Sequence, residues 1–241
     1  ADEEPDEFEQ ALFAMRDRLF AIIKPETPVS FDEKLDRLHL ACCEMQNEYD
    51  DLLFPVEGDA EYADEEDEPF RWSAMFWSEA CLKALTERLM SLEINKDEWR
   101  GLLADVHARI PELLARRADF LAAYADRLYE YDELLEYFVY RHFMKALGDD
   151  VLIEKVQFAL ICTCFIQLLG SCRGAVRGAD ADLSRNIERF QTVNTLFHYL
   201  EITVGSHDNE NFFHLLFLLQ KQMRARVYPC PIIAHLCAPM P

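Results

Sequence analysis

The chain reads as all-α: an irregular bundle of about eight to nine helices in a single domain over residues 1–241. Three observations predict it. Only seven Gly and ten Pro interrupt 241 residues, of which 51% are hydrophobic and 12% aromatic. Apolar residues recur at helical spacing through long segments. No run of period-two alternation bounded by turns occurs, and no internal repeat is found. A chain of this length fills a core without disulfide staples.

The elements follow in order. Pro5 takes a first-turn position, and Phe8, Leu12, Phe13, Met15, Leu19, Phe20 and Ile23 then keep helical spacing until Pro25. Ser30-Phe-Asp-Glu33 is a capping box that opens a second helix through Leu35, Leu38, Leu40, Cys42, Met45 and Leu52, ending before Pro55. Residues 55–69 carry eight acidic residues and no periodicity, which predicts an exposed, mobile acidic loop. From Phe70 one amphipathic pattern uses Trp72, Met75, Phe76, Leu82, Leu85 and Leu89. Asn95-Lys-Asp-Glu98 offers a further cap before Trp99, Leu102, Leu103, Val106 and Ile110.

Pro111 then opens a long helix to Leu147, kinked near Tyr129–Asp132 and ended by Gly148. Asp149 or Asp150 caps the next helix, which is apolar nearly all round from Leu152 to Leu168 and therefore central. Residues 171–182 read as a turn-rich link. Helices over 183–204 and 208–223 follow, and the tail at 228–241, with four prolines, is not a regular helix throughout.

The formal charge of −21 is concentrated at one end: residues 1–70 hold 23 Asp+Glu against 5 Lys+Arg. Such a surface repels nucleic acid and acidic membrane and suits a basic protein partner, or is simply a solvated face. The longest apolar run, Phe158 to Gly170, is shorter than a membrane span, so no membrane is expected. None of the eight cysteines forms a CxxC pair, and Cys42, Cys43, Cys81, Cys162 and Cys164 sit in apolar helical patterns. That usage fits a reducing cytoplasm. Since the chain begins at Ala1, it is expected to be a processed product or a piece of a longer protein.

Chemistry-bearing motifs are few. Neither GxxxxGK[ST] nor GxGxxG occurs, and HExxH, GxSxG and EF-hand spacing are missing too. Cys230, His235 and Cys237 lack the paired turns and fourth ligand of a structural zinc site, so no metal is expected. His198 and His214, in aromatic helices, read as polar edges of a core, and His39 and His107 give a weaker signal still. The strongest candidate is the stretch ELLEYFVYRHFMKAL at 133–147. On a helix Tyr137 and Glu133 lie one and two turns before Arg141, so a Tyr137/Arg141 stack or a Glu-to-Arg chain can form along one stripe. Arg141-His142 reads as the polar seam of a core helix, and Glu133, Glu136, Tyr137, Tyr140, Arg141 and His142 are the residues placed to bind a substrate.

The segment ELLEYFVYRHFMKALGDDVLIEKVQFALICTCFIQLLGSCRG, followed by DLSRNIERFQTVNTLFHYLE, resembles the C-terminal helical region of the flagellin lysine-N-methylase family. FEQALFAMRDRLFAIIKPETPVSFDEKLDRLHLACCEM is similar to that family's N-terminal helix, turn and helix. The resemblance implies methyl transfer from S-adenosylmethionine to protein lysine, with flagellin as the lysine-bearing partner. It also implies a cysteine-bound metal centre, whose clustered cysteines have no counterpart in this chain. The expectation is therefore a C-terminal portion whose catalytic residues lie upstream. The alternative is a non-catalytic interaction module whose acidic loop takes a basic protein.

Overall fold

The computed structural model describes residues 5–54, 70–91 and 97–177. Along the chain run α1 (Glu7–Ile23), α2 (Phe31–Leu53), α3 (Trp72–Phe76), α4 (Glu79–Ser91), α5 (Asp97–Ala115) and α6 (Arg117–Ala123). A 3₁₀ turn at Ala125–Arg127 leads to α7 (Tyr129–His142), and a second 3₁₀ segment at Phe143–Gly148 precedes α8 (Leu152–Arg177). No strand occurs among the described residues, and the class is all-α as the sequence predicts.

Helix α8 organises the rest. From Leu152 to Leu169 every side chain but Glu154 is buried, so the helix has to be covered on all sides. Helices α2, α5, α6 and α7 pack on it; α1 lies across α2 and α7, and α4 lies along α5. The stretch Leu152–Cys172 is in fact long and apolar enough to cross a bilayer, longer than the run counted in the sequence. Its most apolar part is 94% buried within the bundle, which accounts for its composition.

Local signals place the first helices. Asp6 caps α1: its Oδ1 accepts from the Glu9 amide at 2.8 Å, and Glu9 Oε2 accepts from the Asp6 amide at 3.1 Å. Pro5 thus stands outside the helix, where its carbonyl accepts from Gln10 Nε2 at 2.6 Å. Ser30 Oγ accepts from the Glu33 amide at 3.2 Å as expected, while the Glu33 carboxylate turns to Arg37.

Four expectations are corrected. The pattern from Phe70 is two helices, broken at Trp77 because Ser78 Oγ caps a new one through the Cys81 amide at 3.2 Å. Pro111 lies inside α5, on an exposed position where water can take the carbonyl it leaves unbonded. The long helix expected over 111–147 is broken at Arg116 and again from Tyr124 to Leu128, as well as being reset near Tyr129. The first break aims a side chain at distant partners, and the second gathers near neighbours. Arg117 reaches Asp32 with both terminal nitrogens at 2.8 and 2.5 Å and lies 4.0 Å from the Trp77 ring centre, while Arg127 and Tyr124 both bond Glu130. Finally, α8 runs on through residues 171–177, where a turn-rich link was expected. The cap at Asn95, the loop at 55–69, the helices over 183–204 and 208–223, and the tail at 228–241 lie outside the described residues.

The entry to α8 is built by side chains from elsewhere. Gly148 belongs to the 3₁₀ segment, and it is Asp150 that takes the left-handed turn, at φ 57°, a conformation Asp tolerates better than most residues. Asp149 Oδ1 accepts from the Val151 amide at 3.2 Å. The first amides of α8, Leu152 at 2.7 Å and Ile153 at 3.2 Å, donate to Gln46 Oε1 from the middle of α2. Gln46 Nε2 in turn donates to the Asp150 carbonyl at 2.9 Å and to Asp50 Oδ1 at 2.8 Å, so this buried amide is fully used.

Replacing Gln46 by Leu leaves two buried amides and a partly buried carbonyl without this partner. The expected loss is about 2–3 kcal/mol. Urea unfolding checks it: the midpoint should fall with the slope unchanged.

Candidate functional site

Helix α7 presents one side to the core and one to α1. Tyr131, Leu135, Phe138 and Val139 are buried, with Phe138 edge-on to Phe158 of α8 at 5.8 Å between ring centres. The opposite side carries Glu133, Glu136, Tyr137, Tyr140 and Arg141, and α1 supplies its neighbours.

Lys24, the last residue of the α1 turn, brings its ammonium to both acidic residues. Its Nζ is 3.0 Å from Glu133 Oε1 and also bonds Glu136 Oε2. Bonds to Glu136 and then Glu133 raise Lys24 above the ordinary lysine value against a smaller opposing effect of burial, so it remains an ammonium. The site is open to water, with Glu133 60% exposed. One turn on, the expected Tyr137/Arg141 stack is formed: Arg141 Nη1 donates to Tyr137 Oη at 2.5 Å, and its guanidinium carbon lies 5.8 Å from the ring centre. Beyond it, Tyr140 meets Arg16 of α1, whose guanidinium carbon lies 5.0, 5.7 and 5.8 Å from the ring centres of Phe13, Phe20 and Tyr140.

Five of the six residues singled out in the sequence thus share one outer stripe. His142 does not: its ring turns inward, 4.7 Å from Phe158 and 6.4 Å from Phe138 between ring centres. Burial first, then the charges of Lys145, Arg141 and Lys155, push it down to about 4. The ring is neutral, and its Nδ1 accepts from Lys145 Nζ at 3.1 Å, which puts the proton on Nε2.

The residues missed by reading the sequence are Lys24 and Arg16. The available signal was their rarity, since residues 1–70 hold only five basic side chains. Among the described residues no three His, Cys, Asp or Glu side chains gather as metal ligands. The six described cysteines form no disulfide, and burial pushes the thiols of Cys42, Cys81, Cys162, Cys164 and Cys172 up, Cys81 to about 11 and Cys172 to about 12, away from the thiolate that binds metal. His39 is likewise buried and pushed down to about 4, and His107 Nδ1 is tied to Thr86 Oγ1 at 2.7 Å. Cys230, His235, Cys237, His198 and His214 lie outside the described residues.

A family model, the FliB lysine N-methylase C-terminal domain, matches residues 31–219. The chain belongs to this family. No curated protein and no solved structure matches it. The match takes in α2 to α8, and with them the whole α7 stripe, so a protein related to the lysine N-methylases carries this seam. Helix α1, with Arg16 and Lys24, precedes the matched residues.

The His142 geometry has a consequence for acid stability. The native ring stays neutral while the unfolded ring, at its ordinary 6.5, takes a proton. Stability from this group is therefore fully present above pH 6.5 and is lost as pH falls from 6.5 towards 4. His142→Phe keeps the stacking and removes the proton uptake. The drop in urea midpoint between pH 7 and pH 4.5 should shrink in the variant; an undiminished drop would show that the ring is not desolvated.

Proposed function

We propose that this chain is the helical portion of a lysine N-methylase that holds the lysine-bearing protein substrate, with the α7 stripe as the contact surface. One observation carries the reading: Glu133 and Glu136, three residues apart on one helix face, converge on a single lysine ammonium at an open site. Two carboxylates with an adjacent aromatic ring are what an alkylammonium needs, and the exposed Glu133 keeps lone pairs for a second one. Flagellin is the substrate the sequence resemblance implies. The acidic N-terminal third favours encounter with a basic segment, an effect on association rate more than on affinity.

S-adenosylmethionine supplies the methyl group in such a reaction. The protonated thiols of Cys42, Cys81, Cys162, Cys164 and Cys172 do not fit a cysteine-held metal centre, and the methyl donor and any such centre belong outside the described residues. The work of this chain is to bind and orient. The described cysteines, none of them in a disulfide, suit a reducing cytoplasm.

Methyl transfer to purified flagellin by the complete enzyme tests the reading. With Glu133→Gln and Glu136→Gln together, KM for flagellin should rise about tenfold, the loss of about 1.4 kcal/mol of binding, with kcat within about twofold. An unchanged KM would remove the stripe from substrate binding.

A further inference from the structure

Helices α1 and α7 run antiparallel, since Lys24 meets Glu133 and Glu136 while Arg16 meets Tyr140 further along α7. Arg16 lies eight residues before Lys24, about 12 Å away along the α1 axis. Its surroundings differ from those of its neighbours. Arg18 bonds Glu48 and Arg37 bonds Glu33, each at 2.5 Å. Among the described residues Arg16 donates no hydrogen bond: its one acidic neighbour, Asp17, stands 3.9 Å away, and its Nε is buried without an acceptor.

The side chain is only 19% exposed, held among Phe13, Phe20 and Tyr140. The rings attract the cation through their faces but accept no strong hydrogen bond. Among the described residues this guanidinium, withdrawn from water, lacks the charge-assisted acceptor that arginine normally finds. With Nε covered, the terminal amino groups are the edge left for a partner. Beside them Phe13 and Tyr140 stay 38% and 66% exposed, an aromatic rim around a cation short of an anion.

We propose that the α1/α7 seam reads two charges of opposite sign on an extended polypeptide: a lysine that shares Glu133 and Glu136 with Lys24, and a carboxylate that takes Arg16. The separation of about 12 Å corresponds to about four residues of extended chain at ~3.3 Å each. The partner therefore carries Lys and Glu or Asp four positions apart, which puts both on the same face of the extended chain. This rests on the lysine reading of the α7 stripe and adds the second contact that sets sequence preference.

Fluorescence anisotropy at low salt with labelled nine-residue peptides tests it on the full chain, using Lys and Glu separated by three residues in both chain directions. In the favoured direction, Glu→Gln in the peptide should weaken binding about tenfold to the native chain. Against Arg16→Met the same change should have less than a twofold effect. Lys→Gln in the peptide should weaken binding to both chains. A Glu→Gln change without effect on the native chain, with Lys→Gln still harmful, overturns the Arg16 assignment and leaves the lysine reading standing. Insensitivity to Lys→Gln overturns the lysine reading, and this inference with it. The Glu→Gln comparison on the native chain decides the matter even if Arg16→Met does not fold.

Discussion

A helix with no polar side has to be enclosed, and most of this structure follows from enclosing α8. Its buried span needs neighbours on every flank, and α2, α5, α6 and α7 provide them. Enclosure also makes the few polar groups on α8 demanding, because from Leu152 to Leu169 none but Glu154 can turn to water. Lys155 is 3% exposed at its side chain and bonds Asp149; Gln167 accepts from Arg117 at 3.3 Å. The first amides are met by Gln46, so α2 and α8 are joined by directional bonds at the point where the apolar contact begins. Hydrophobic burial supplies the drive, and these bonds select one register out of the many a smooth apolar helix would permit.

Charge sorts itself around that core by depth. Lys34, almost fully buried, pairs with Asp132, whose carboxyl is raised by burial, the larger effect, against the opposing pull of Lys34. Arg18 with Glu48 and Lys24 with Glu133 sit at the surface, where a pair adds little stability. An open pair that contributes little to folding can exchange partners at small cost, which is why the α1/α7 seam suits contact with another molecule better than the buried pairs do.

What could be read from the sequence was what is local. The Ser30 cap, the end of α2 before Pro55, the apolar stretch of α8 and the Tyr137/Arg141 stack each depend on residues within a turn or two. The Asp6 capping box lay in the same range and was masked by Pro5 beside it. The α8 cap was beyond reach, since Gln46 stands 106 residues from Leu152. Likewise the seam required α1 and α7 to be neighbours, a fact of packing that no spacing on either helix records. His142 was drawn into the candidate stripe because it adjoins Arg141, although adjacent helical residues point about 100° apart.

The breaks between α5, α6 and α7 carry one more implication. From Glu112 to Leu147 the chain contains no Gly and no Pro. Nothing in its covalent chemistry stops a helix at Arg116 or Tyr124; Asp32 and Trp77 take Arg117 at the first break, and Glu130 takes Arg127 and Tyr124 at the second. The first boundary is thus a property of the assembled molecule, whereas the second is accompanied by contacts within its own segment. At Arg116 secondary structure is downstream of tertiary contact, so the corner between α5 and α6 is set only once α2 has arrived.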